Sequence, residues 1–185
     1  MADNFGRPST EGRRLSVGIH TDSSVNSIES KVTPNGNKYI EVIFQHKNGL
    51  AFQKIWYPRL DDVKPKEGQT MEKARQYAID NFTGSLYTLL DALGAGEVSA
   101  DSAEKFADKA ITAITAASAK GAKCTIILHW DLKGEWPEFP RYNWAAHSEM
   151  PISSIDTSKF RMTKEDTNAR TAPSTSRKME DGDLF

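Results

Sequence analysis

Apolar and polar residues alternate with a period of two through residues 15–19 and again through 25–32, the pattern of a strand with one buried face. Pro34, Asn35, Gly36 and Asn37 then bring turn chemistry, since asparagine and glycine both tolerate positive φ. Residues 38–47 resume the alternation, with Ile40, Val42 and Phe44 on one face and Tyr39, Glu41, Ile43 and Gln45 on the other. A second turn at Lys47, Asn48 and Gly49 leads into residues 50–57, which completes a predicted three-stranded meander. Pro58 ends it. From about Met71 the period changes: Ala78, Phe82, Leu86, Leu89 and Leu93 recur at three- and four-residue intervals, the stripe of a helix with one face buried, and Gly94 and Gly96 close it. A second helix begins near Asp101, where acids suit a helix N-terminus, carries Ala103, Phe106, Ala110, Ile111, Ile114 and Ala117 inward, and stops at Gly121. Residues 123–130 return to strand, Leu132, Lys133 and Gly134 read as a turn, and residues 139–146 form the last strand, interrupted near its start by Pro137 and Pro140. No internal repeat is present.

Three strands, two helices and two strands is the order of the five-stranded OB-fold barrel with an enlarged helical insertion between strands 3 and 4, a mainly β architecture whose curved face and loops bind oligonucleotides or oligosaccharides. The expected organisation is a flexible basic arm over 1–14, an OB-fold domain over 15–160 with its insertion at about 68–121, and a disordered tail over 161–185 with an acidic tip. A chain of 185 residues with 38% hydrophobic content supports one core of this size. The single cysteine, Cys124, sits in an apolar run and reads as a small buried hydrophobe, which fits a reducing cytoplasm. Residues 1–6 lack the charged and apolar regions of a signal peptide, and no apolar run approaches membrane-spanning length, so a soluble cytoplasmic protein is expected.

Net charge is -1, from 24 Lys and Arg against 25 Asp and Glu, which excludes a generally basic coat. The charge is segregated, however: residues 1–60 hold eight cations against five acids, and residues 61–121 hold seven against ten. A single strand of nucleic acid offers one phosphate per nucleotide and unstacked π-faces, so its site needs cations spaced along a groove with flat rings between them. Two sets of residues interleave these types. The first is Lys38, Tyr39, Lys47, Lys54, Trp56, Tyr57 and Arg59; the second is Lys123, His129, Lys133, Trp136, Arg141, Tyr142 and Trp144. By alternation Lys54 and Trp56 share an outward face, whereas Phe44 and Phe52 are expected to point into the barrel. In the fourth strand Cys124, Ile126, Leu128 and Trp130 form the core face, which turns Lys123, Thr125, Ile127 and His129 outward. Arg7, Arg13 and Arg14 read first as keeping the N-terminal arm solvated, with phosphate contact as the alternative.

Catalysis is not expected. His20, His46, His129, His147 and the Asp61-Asp62 pair match no metal-ligand spacing, and the sequence holds no Gly-rich phosphate loop, nucleophile elbow or zinc-protease helix. No cofactor or metal is implied.

The polar stretch from about Thr163 to Met179 has too few large apolar residues to offset the entropy of ordering it. It leads to Glu180, Asp181, Gly182, Asp183, Leu184 and Phe185, a tip of acids with an apolar anchor suited to capture by a partner protein. Together with Leu15-Ser16-Val17-Gly18-Ile19-His20, Gly36-Asn37-Lys38-Tyr39-Ile40-Glu41-Val42 and Trp136-Pro137-Glu138-Phe139-Pro140-Arg141-Tyr142, this tip makes the chain resemble the single-stranded-DNA-binding proteins of tailed bacteriophages. Bacterial homologues of that group typically end Asp-Asp-Asp-Ile-Pro-Phe; here Leu184 stands in place of proline and Gly182 interrupts the acids. The resemblance implies sequence-tolerant binding of single-stranded DNA in phage replication, recombination and repair within the infected host. It also implies recruitment of replication or recombination proteins through Glu180, Asp181, Asp183, Leu184 and Phe185. A single-strand annealing protein that assembles through its helices, and an OB-type module for another ligand, remain open alternatives.

Overall fold

The structure, a computed structural model, describes residues 13–165. Its organising element is β1 (Gly18–Val32), a strand of 15 residues that serves two partners. Residues 18–23 pair antiparallel with β4 (Cys124–Trp130), and residues 24–32 pair antiparallel with β2 (Lys38–His46). Within the β4 ladder the register shifts between His20 and Ser23, where Asp22 adopts a φ of 57°, and within the β2 ladder a second irregularity separates Val25 from Ser27. Such bulges bend and twist a strand, and here they curl the sheet into a half-barrel. β3 (Gly49–Trp56) follows β2 in unbroken antiparallel register from Tyr39 opposite Trp56 to His46 opposite Gly49. The sheet therefore runs β3-β2-β1-β4, with the short β5 (Pro137–Glu138) beyond β4.

Gly49 has a structural reason. Its φ is 148°, a Cβ there would lie 2.2 Å from the Arg13 carbonyl oxygen, and that carbonyl accepts a hydrogen bond from Leu50 N at 2.7 Å. With Leu15 N donating to Leu50 O at 2.8 Å, the chain around Arg14 is tied to the start of β3. Arg13 and Arg14, assigned to a flexible arm by the sequence, thus belong to the folded unit.

Both helices of the insertion lie between β3 and β4. α1 (Met71–Ala92) starts at Thr70, whose side chain accepts from Lys73 N, and ends where Gly94 takes a φ of 59° and Ala95 N bonds back to Leu90 O. α2 (Ala103–Ala119) is capped by Ser102, which accepts from Lys105 N. Phe82, Leu86, Leu89 and Leu90 of α1 and Phe106, Ala110 and Ile114 of α2 are buried in one core with Ile40, Val42 and Phe44 of β2 and Ile126 of β4. The helices thereby occupy the inner side of the curled sheet. No helix among the described residues is long and apolar enough to cross a membrane.

Two expectations need correction. The last predicted strand is two short pieces, β5 (Pro137–Glu138) and β6 (Ala145–His147), both on the far edge of β4. Pro140 has no N–H for a ladder and Asn143 has a φ of 54°, so the chain between them leaves the sheet. β4 is also buried on both faces, from Cys124 to His129. Its second face meets α1 and the C-terminal segment: Ile127 and His129 line a groove with Tyr87, Thr88, Phe160 and Arg161. A strand covered on both sides carries no alternation.

Candidate nucleic-acid interface

Strict register on β1, β2 and β3 sorts their side chains onto two faces. Opposite the core, three cross-strand rows stand on the outer face: Lys31, Tyr39 and Trp56; Glu29, Glu41 and Lys54; Ser27, Ile43 and Phe52. Tyr39 and Trp56 pack against each other with ring centroids 5.1 Å apart and planes tilted by 41°, and Trp56 remains 50% exposed. The Lys54 ammonium lies 5.0 Å from the centroid of the Tyr39 ring. At the other end of the face, Arg14 covers Phe52 at 5.6 Å. Phe52, expected inside the barrel, is 43% exposed, because the two-residue period that turns Lys54 and Trp56 out turns it out as well.

The charge on this face is nearly balanced. Lys31 donates to the Glu41 carboxylate and lies 3.8 Å from Glu29, and the hydrogen bond it gives to Glu41 holds the Lys31 ammonium above its ordinary pKa. Arg14, Lys31 and Lys54 stand against Glu29 and Glu41, an excess of one positive charge. Rings rather than cations dominate the surface.

A second cluster of rings and cations joins α1 to the segment between β5 and β6. Arg141 lies 5.3 Å from the Tyr77 ring centroid and 5.2 Å from that of Tyr142. The two tyrosine hydroxyls are 3.2 Å apart, and Tyr142 donates to Asn81 Oδ1 at 3.1 Å. Beside it runs a groove of about 1180 Å3 between α1 and the β4 to β6 region.

The remaining expected site residues are distributed differently. Lys38 points to the helical side, 3.4 Å from Glu104. Lys47 is exposed in the turn between β2 and β3, Arg59 is exposed after β3, and Lys123 is exposed just before β4. Lys133 and Trp136 are exposed in the loop from β4 to β5; that loop is built on Asp131, whose carboxylate accepts from Glu135 N at 2.8 Å and is thereby held below the ordinary aspartate pKa. Three residues face inward. Trp144 is fully buried against Phe44 and Phe139, with centroids 6.0 and 5.4 Å away, so it is a core residue. Tyr57 packs on Phe82 at 4.9 Å and its hydroxyl meets Ser30 at 2.9 Å. His129 is buried beside Glu138 and Arg161: Arg161 Nη2 lies 2.9 Å from His129 Nε2 and 2.6 Å from Glu138 Oε1, while burial raises the Glu138 pKa. None of the three offers an open stacking face or a free outward donor. Glu180, Asp181, Asp183, Leu184 and Phe185 lie outside the described residues.

Sequence reasoning turned Phe52 into the barrel, favoured arm solvation for Arg14, and did not single out Tyr77 or Asn81. The signal for Phe52 was its two-residue offset from Lys54; Tyr77 and Asn81 stand four apart on one helix face. Among the described residues, no group of three or more His, Cys, Asp and Glu is placed to hold a metal ion. Comparison with protein-family models and with curated proteins finds no match to this sequence. The geometry alone therefore carries the functional reading.

Proposed function

We propose that the chain is an OB-type protein that binds single-stranded DNA without strong sequence preference, using the outer face of β1, β2 and β3. The observation that carries this reading is the half-exposed Trp56 tiled on Tyr39 with Lys54 over the tyrosine ring, on the side of the sheet away from the core. Base stacking on an aromatic contributes about 1–3 kcal/mol and tolerates any base, because every base has a π-face. Phe52 under Arg14 offers a second such place along the same strand. The phage setting belongs to the same proposal: protection of exposed strands in replication, recombination and repair inside a bacterial host, with the acidic tip at 180–185 recruiting other replication or recombination proteins.

Tryptophan emission titrated with poly-dT tests it. Emission is expected to quench at low salt and recover as salt rises, because phosphate contacts release counterions. Trp56→Ala should weaken binding about 10- to 100-fold with the melting temperature nearly unchanged, since the ring it removes is half in solvent. Flat emission at every salt concentration would sink the proposal and favour a different ligand for the sheet.

A further inference from the structure

The sheet face leaves the Tyr77, Arg141 and Tyr142 cluster without a duty. Three features set it apart from an ordinary surface contact. Arg141 is exposed, and among the described residues no carboxylate lies within 4.0 Å of its guanidinium. Two aromatic rings lie beside that guanidinium, at 5.3 and 5.2 Å, and neither neutralises its charge. Both rings stay open to solvent, Tyr77 at 44% and Tyr142 at 53% exposure, while their hydroxyls are tied to each other and to Asn81. Lys66 lies close enough for its charge to act on the Tyr77 hydroxyl in the same sense as Arg141.

An unneutralised cation beside two open rings is the chemistry that a phosphate and its neighbouring base require. We infer that Tyr77, Arg141 and Tyr142 form a second nucleic-acid contact, in which Arg141 meets a phosphate and an adjacent base stacks on a tyrosine. The inference rests on the sheet face being the first contact. It gives the helical insertion a direct part in binding, because Tyr77 and Asn81 come from α1. A strand that engages both contacts must be longer than one that engages the sheet face alone.

The test compares two dT strands, one of about 6 nucleotides, near the short end of the site sizes of a single OB domain, and one of about 20, beyond their long end. In the full chain, Arg141→Gln combined with Tyr142→Leu should lower the ratio of long-strand to short-strand affinity about tenfold, the loss of one stacked base and its phosphate. The slope of log K against log salt for the long strand should become shallower by about 0.7. Arg141→Lys, which keeps the charge and loses the planar stack, should keep the slope and lose part of the affinity. An unchanged ratio and slope in a folded double variant would overturn the inference and leave the cluster as a clasp between α1 and the 139–143 segment. Equal losses at both lengths would overturn it too, since the cluster would then be part of the first contact. A wild-type chain that binds neither strand would instead overturn the sheet-face reading, and this one with it.

Discussion

Glu41 sets the character of the sheet face more than any cation does. It sits in the central strand of the three, opposite Lys54 and bonded to Lys31, at the middle of a surface that would meet phosphates. A carboxylate there repels the backbone of a bound strand and occupies the lysine that would otherwise attract it. Glu41→Gln should therefore raise poly-dT affinity several-fold at low salt, by about 1 kcal/mol, and steepen the salt dependence; an unchanged affinity, measured by the same fluorescence titration, would mean that the strand does not cross this row. Histidine chemistry adds a separate prediction about stability. His20 and His46 are both buried with ring centroids 5.3 Å apart, and His46 Nδ1 accepts the Asn48 N–H at 3.1 Å. Burial first, then the charges of His20 and Lys47, push the His46 pKa below its ordinary value of 6.5, with Asp22 opposing. The folded chain then binds the proton less readily than the unfolded chain, so this contribution to stability is complete above pH 6.5 and is lost as pH falls from there toward the lower folded value. His46→Gln, which can still accept from Asn48, should flatten the decline in melting temperature between about pH 7 and pH 5. A variant that declines as steeply as wild type would assign the acid sensitivity elsewhere.

At the scale of elements, the meander was legible because its strands obey the simplest rule available: one face on a core, one in solvent, period two. Trp56 and Lys54 could be placed on the outer face for that reason alone, and the same rule applied consistently would have placed Phe52 beside them. The helices were legible from their stripes, to within a few residues of α1 and α2 as they stand. The rule failed at β4, where both faces are covered by elements remote in sequence. Nothing in residues 123–130 says that Arg161 will return to bond Trp130 O at 2.6 Å and seal His129. Trp144 is a related case: residues 139–146 read as one strand beside Pro137 and Pro140, and nothing local shows that the chain carries Trp144 across Ile127, whose N–H bonds Trp144 O at 2.9 Å. The cluster on α1 was half visible, since Tyr77 and Asn81 share a helix face but their partner lies more than sixty residues away, at Arg141 and Tyr142. Sites made by one local period can be read from sequence; sites made by tertiary return cannot.

For the molecule as a whole, the number of phosphates it can hold follows from the cations that face the proposed path and are not consumed by acids. With a net charge of -1 and an acidic α2 end carrying Asp101, Glu104 and Asp108, the protein cannot attract DNA over its whole surface. On the sheet face, Arg14 and Lys54 are held over rings and Lys31 is engaged by Glu41; at the second cluster Arg141 is held between rings. Three phosphates, or four if Lys31 is drawn from Glu41, are what these side chains can neutralise. For a single strand each phosphate contributes about 0.7 to the slope of log K against log salt, so a long dT strand should give a slope of about -2 to -3, and a short one confined to the sheet about -1.4. Fluorescence titrations at several salt concentrations measure both. A slope near -6 would place the phosphates on a basic surface that these residues do not form. A slope near zero would remove phosphate from the interaction and leave only the rings, which is how an uncharged ligand would be held on the same face.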